Sequence, residues 1–83
     1  MDKVLIEIFL PASSTSYDVY VPSASRMSEV LALVSKVISE LSEGKYKPTA
    51  ETVLCDRDSG VIFNLNLTIA ELGIKNGSRL MLI

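Results

Sequence analysis

The chain has 83 residues, 48% of them hydrophobic, with eight basic against ten acidic side chains for a net charge of −2, and no histidine. That length allows one domain, spanning 1–83, and that apolar fraction excludes a disordered chain. No Lys/Arg cluster supplies the footprint of a nucleic-acid or membrane-surface binder, and the lone cysteine, Cys55, leaves no internal disulfide and fits a reducing compartment.

Asp2, Lys3 and Glu7 interrupt the first apolar run, so no signal peptide is read there. No later run approaches the roughly 18 apolar residues of a membrane span, and a cytoplasmic protein is expected. Asn66-Leu67-Thr68 and Asn76-Gly77-Ser78 match a glycosylation acceptor, which without a secretion signal is read as chance. Residues 3–10, KVLIEIFL, alternate as a strand with Val4, Ile6 and Ile8 on one face and Leu5, Glu7 and Phe9 on the other. Both faces are partly apolar, which predicts a central strand. Residues 11–16 read as a turn, and YDVYV (17–21) as a second strand returning antiparallel, with Tyr17, Val19 and Val21 on one face.

Pro22 ends that strand, and Ser25 is the expected helix cap, with Glu29 early enough to favour the helix dipole. Met27, Val30, Leu31, Val34, Val37, Ile38 and Leu41 share one stripe, predicting an amphipathic helix over roughly 26–42 that Gly44 stops. A polar connection from Lys45 to Glu51 leads to a third strand, TVLC (52–55). Asp56 to Gly60 form a tight turn, and VIFN (61–64) is expected to pair back across it. Thr68 and Glu71 have capping-box spacing at a short helical turn closed by Gly73. Asn76-Gly77 marks a turn, and RLMLI (79–83) reads as the last strand, placed beside the first in parallel. The expectation is an α+β fold, ββαββ with a short helical turn before the last strand: a mixed sheet of four to five strands packed on one helix.

That order resembles the β-grasp of ubiquitin. The closing stretch TIAELGIKNGSRLMLI (68–83) is similar to ubiquitin's own ending, which implies core positions at Ile69, Leu72, Ile74, Leu80 and Leu82. Val21-Pro22-Ser23 resembles the entry to ubiquitin's helix. The sequence ends at Ile83 without the paired glycines of conjugated or sulfur-carrying relatives, so neither covalent attachment nor sulfur transfer is expected. A small, tail-less chain of this kind resembles the YukD/EsaB family of type VII secretion accessory proteins, through the pattern Leu67…Gly73-Ile74-Lys75-Asn76-Gly77-Ser78-Arg79-Leu80. It departs from that family in a longer helix-to-strand connection and in the polar 59–66 region. The resemblance implies a bacterial cytoplasmic adaptor whose partners are protein components of a membrane secretion machine. Direct membrane insertion is not expected.

Catalysis, a cofactor and a metal site are not expected. Without histidine no Ser-His or Cys-His pair can form, and Cys55 lies on an apolar strand with no neighbouring base, as a core filler would. Asp56-Arg57-Asp58-Ser59-Gly60 invites a calcium reading, but glycine stands fifth rather than sixth and Leu67 replaces the twelfth-position glutamate. A turn capped by its own aspartate explains it better. No glycine motif cradles phosphate, and no carboxylate pair converges.

The outward faces carry the functional expectation. If Leu80 and Leu82 point into the core, Met81 and Ile83 point away; alternation puts Phe9 outward on the first strand and, if Val53 and Cys55 are inward, Leu54 outward on the third, a register that the equal polarity of Val53 and Leu54 leaves open. Those four residues would form one apolar patch with Arg79 beside it, on the face that the ubiquitin resemblance makes a recognition surface. The expected protein-binding residues are Phe9, Leu54, Arg79, Met81 and Ile83. Two function classes follow: a non-conjugated adaptor docking through that patch, or a self-associating structural domain using it as a homodimer seam. Addition of a partner's strand at 17–21 or 61–64 is a second docking mode.

Overall fold

Strand alternation in the first ten residues is expressed in the computed structural model, which describes residues 2–44, 46–49 and 51–83. Lys45 and Ala50, in the expected polar connection, and Met1 lie outside the described residues. β1 (Lys3–Leu10) buries Ile6, Ile8 and Leu10 and turns Leu5, Glu7 and Phe9 to the other face. It pairs antiparallel with β2 (Thr15–Pro22), from Lys3 opposite Pro22 to Leu10 opposite Thr15. β2 is longer than YDVYV alone, because the turn is confined to residues 11–14, where Ser14 takes a φ of 51°.

The helix α1 (Met27–Leu41) buries Met27, Val30, Val34, Ser35 and Ile38. The expected stripe holds except at its end, where Leu41 is exposed, while Ser35 at its margin is buried. The cap is Arg26 rather than Ser25. The reason is tertiary: the N–H groups of Met27 and Ser28 donate to the Leu67 and Leu65 carbonyls at 2.8 and 3.0 Å, so the loop before the last strand satisfies donors that a serine would otherwise serve. Glu29 returns its carboxylate to the Arg26 N–H at 3.2 Å. After Leu41 the chain passes Glu43 at φ 57° and Gly44 at φ 80°, whose N–H closes onto the Ser39 carbonyl.

β3 (Leu54–Asp56) is shorter and later than TVLC, and β4 is Arg79–Leu82. The sheet order is β2-β1-β4-β3, with β4 parallel to β1 and antiparallel to β3. β1 is therefore central, as its two apolar faces require. VIFN does not become a strand: only Ile62 makes a bridge, to Cys55. The left-handed turn through Gly60, φ 76°, brings Val61 to Phe63 alongside β3, but Asn64, Leu65 and Asn66 then turn toward the helix start instead of extending a ladder. The four-stranded mixed sheet under one helix is the ubiquitin-like α+β architecture that the element order implied.

The segment before β4 closes the core. Thr68 and Glu71 make the reciprocal cap read from their spacing: the Thr68 N–H donates to Glu71 Oε1 at 2.9 Å and the Glu71 N–H to Thr68 Oγ1 at 3.1 Å. This turn seats Ile69 and Ile74 in the core with Leu72 packed against them. Asn76 Oδ1 accepts the Leu5 N–H at 2.8 Å, and the Gly77 N–H donates to the Leu5 carbonyl at 2.9 Å. The Asn-Gly turn is thereby pinned to β1, which sets the register of β4.

Candidate functional site

One face of the sheet carries α1; the other is open. Strand pairing places its residues in rows, because cross-strand neighbours project to the same side. Phe9 on β1 lies beside Met81 on β4, Met81 beside Cys55 on β3, and Cys55 beside Ile62. One step along the strands, Val53 and Ile83 exchange hydrogen bonds of 2.8 and 3.0 Å, which puts them on the same open face. Phe9, Met81 and Val53 are half-buried, while Ile83 is 52% exposed and Ile62 60%. The structure thus brings Phe9, Met81 and Ile83 together, with Arg79 in the adjacent row.

Leu54 does not belong to this face. It is 1% exposed and sits opposite Leu82 in the core cluster with Ile38 and Leu80. The strand register is one residue away from the expected one. Leu82 must face the helix, and antiparallel pairing turns its opposite neighbour Leu54 the same way. Val53 and Cys55 then take the open-face positions instead of the core positions expected of them. Cys55 is buried all the same, because Met81 and Ile62 flank it and its thiol reaches the Met81 carbonyl at 3.7 Å. Burial, with the Asp56 carboxylate adding to it, pushes the thiol above its ordinary 9.0.

Besides Val53 and Cys55, sequence reasoning missed two further members of the face. Ile62 falls in the VIFN segment, whose composition gives no facing, and its place opposite Cys55 comes from the return across the Gly60 turn. Arg57 carries no periodic signal at all. Its guanidinium lies 4.2 Å from the Phe9 ring centre, and its Nη1 bonds the Glu7 carboxylate at 3.2 Å. A half-exposed pair of this kind contributes about 0–1 kcal/mol and the cation–π contact about 0.5–1 kcal/mol, so the side chain is held but not locked. Arg79 pairs with Asp58 at 3.4 Å, in a setting so exposed that it contributes little.

The arrangement presents apolar side chains flanked by charged ones. The Asp56–Gly60 turn is held by its own atoms: Asp56 Oδ2 accepts the Ser59 N–H at 3.0 Å, and the Asp56 carbonyl accepts the Gly60 N–H at 2.8 Å. Among the described residues, no group of three or more His, Cys, Asp or Glu side chains is placed to hold a metal ion. A cleft of about 920 Å3 lies between the β1–β2 turn and the end of α1, with Tyr17, Tyr46 and Leu41 in its wall and Glu43 and Lys47 at its rim. Its described lining is hydroxyl and apolar, with one charge of each sign. No helix among the described residues is long and apolar enough to cross a membrane.

A four-stranded mixed sheet, one helix across it and a capped turn feeding a parallel last strand define the ubiquitin-like β-grasp class. Within that class the chain belongs to the family of YukD, the protein of the WXG100 protein secretion system (Wss), whose model matches residues 4–82. Among solved structures it is similar to the ubiquitin-like domain of EccD5 from Mycobacterium xenopi, with a TM-score of 0.83 and 22% identity, covering 100% of this chain and 94% of that one. It is also similar to the ubiquitin-like domain of the type VII secretion system protein EccD1 from Mycobacterium tuberculosis, with a TM-score of 0.80 and 22% identity over 100% and 99% of the two chains. A chain of the MycP5-free ESX-5 inner membrane complex matches with a TM-score of 0.82 and 20% identity, over 100% of this chain and 21% of that much longer one. At such identities the likeness is one of fold. No curated protein matches the sequence.

Proposed function

We propose that this domain is a non-catalytic docking module of a bacterial type VII secretion system, acting at the cytoplasmic side of the membrane machine through its open sheet face. Phe9, Met81 and Ile83 supply the contact area, and Arg79 orients the partner. One observation supports the reading above the others: the sheet gathers Phe9, Met81, Ile62 and Ile83 on the face that no element among the described residues covers. Phenylalanine and methionine are typical of interface cores. Family membership makes a secretion component the partner class to test, and the ubiquitin-like stretch within the ESX-5 membrane complex chain is consistent with such a unit working at a membrane assembly.

The test is an affinity capture from a detergent-solubilised lysate of the native host, with wild type and Met81→Asp run side by side. Both must show the same folded circular dichroism. Recovery of secretion-machine membrane components by wild type and their loss with Met81→Asp is the expected outcome. Equal recovery by a folded Met81→Asp protein would refute the assignment of this face.

A further inference from the structure

One row on the open face is a line of four charges. Asp18 on β2 is opposite Glu7 on β1, and Glu7 is opposite Arg79 on β4. Arg57 follows β3, and its N–H donates to the Arg79 carbonyl at 3.1 Å, which carries the row one step further. Across the sheet the order is acid, acid, base, base. Like charges side by side are unfavourable in the free domain. The bases relieve this by reaching out of line, Arg57 to one Glu7 oxygen at 3.2 Å and Arg79 Nη2 to the two Asp58 oxygens at 3.4 and 3.5 Å. Among the described residues no cation pairs with Asp18.

From this row we infer that the open face binds a second copy of the domain, in a weak twofold dimer that competes with partner docking. The inference rests on reading that face as the docking surface. A row of acid, acid, base, base is complementary to itself when reversed. A twofold axis running along the strands, between β1 and β4, reverses it. Asp18 then faces Arg57 of the second copy, and Glu7 faces Arg79 of the second copy. The same axis keeps position along the strands, so Phe9 falls on Met81 of the second copy and the apolar rows meet. The two sheets pack aligned, as in β-sandwiches. Isologous contacts of this kind close at two copies and do not propagate.

The monomer's own pairs are part of the switch. Arg57 lies over Phe9 in the free domain. It must leave Glu7 and the ring to reach Asp18 of the second copy, which bares Phe9 for Met81 and frees Glu7 for Arg79 of the second copy. Ion pairs are exchanged rather than created, so the gain is small. Area points the same way: four strands about 4.8 Å apart bury roughly 800 Å2 in total, below the about 1,200 Å2 of stable complexes. The dimer therefore forms only at high local concentration, as when several copies are held at one assembly, and it keeps the apolar face covered until a better partner arrives.

The test is charge exchange on the purified full chain, read by sedimentation velocity and by concentration-dependent amide shifts, from about 10 µM to about 1 mM. Wild type should self-associate over this range, with shifts at Phe9, Asp18 and Met81. Asp18→Arg alone places arginine against Arg57, and Arg57→Asp alone places aspartate against Asp18; each should weaken association at least tenfold. Mixing the two single variants pairs opposite charges at both contacts and should restore association, as should the double variant by itself. Asp18→Arg leaves the Arg57 contacts with Phe9 and Glu7 in place, so its loss of association cannot be put down to their removal. A wild type that stays monomeric at 1 mM, or single variants whose mixture is not rescued, would overturn the proposal. Neither result touches the capture experiment, which reads a different partner.

Discussion

The register of β3 decides which residues lie on the open sheet face, and one pair of substitutions tests it. Leu54 is 1% exposed, and Leu54→Ala removes a buried side chain from the core cluster, where it sits opposite Leu82. Such truncations cost about 2–5 kcal/mol, the transfer loss plus the cavity left behind. For a chain of 83 residues, total stability is on the order of 4–12 kcal/mol, so the loss is a large fraction of it. At about 4–8 °C per kcal/mol for a domain this size, the melting temperature should fall by roughly 8–40 °C. Val53→Ala, at a half-buried position on the open face, should cost about 1 kcal/mol or less. Urea unfolding followed by circular dichroism measures both, with unchanged slopes confirming a common two-state transition. The reasoning is refuted if Leu54→Ala lies within about 0.5 kcal/mol of wild type, which is surface behaviour.

Two further expectations follow from the turn before β4 and from Cys55. Thr68→Ala removes one half of a reciprocal cap and should cost about 1 kcal/mol. The Thr68 N–H, then its hydroxyl, hold Glu71 below its ordinary 4.5, so the ionised form is favoured in the folded state. That contribution is present above the unfolded value and lost as pH falls through the lower folded one. The stability difference between wild type and Glu71→Gln should therefore shrink between about pH 6 and about pH 3, and a constant difference across that range would remove the linkage. The Cys55 thiol, buried and raised above 9.0, should label with a disulfide reagent orders of magnitude more slowly than in urea-unfolded protein. Equal rates would mean that the Cys55–Ile62 bridge does not cover it.

Where a residue's environment is set by its own strand or helix, the pattern in the chain was sufficient. β1 carries apolar residues on both faces and is central. The α1 stripe seats Met27, Val30, Val34 and Ile38 in the core, with Leu31 and Val37 half-buried and its last member, Leu41, exposed. The Thr68–Glu71 cap and the Asn76-Gly77 turn are local chemistry and form as their spacing dictates. The failures fall where distant segments compete. Ser25 has every local qualification as a cap, yet its carbonyl accepts the Ile69 N–H and the helix start is satisfied by the carbonyls of Leu65 and Leu67. VIFN has strand composition but only one residue in a bridge, since the following Asn64–Asn66 segment is drawn off to that same helix start.

The candidate face shows the same division more sharply. Phe9, Met81 and Ile83 are legible because each lies on, or directly follows, a strand whose inward residues are unambiguous: Ile8 and Leu10 around Phe9, Leu80 and Leu82 around Met81, and Leu82 before Ile83. Leu54 was misplaced because Val53, Leu54 and Cys55 are all apolar, and a short strand of uniform polarity carries no phase of its own. Its phase comes from β4: Leu82 must be inside, so its partner Leu54 is inside, and Cys55 falls opposite Met81. That displacement moves Arg57 onto the open face as well, where it reaches over Phe9 to Glu7. One register step thus removes an apolar residue from the patch and adds the guanidinium that completes the charge row. Neither the row nor its symmetry can be read along the chain, because its members, Glu7, Asp18, Arg57 and Arg79, become neighbours only through pairings that span the whole sheet.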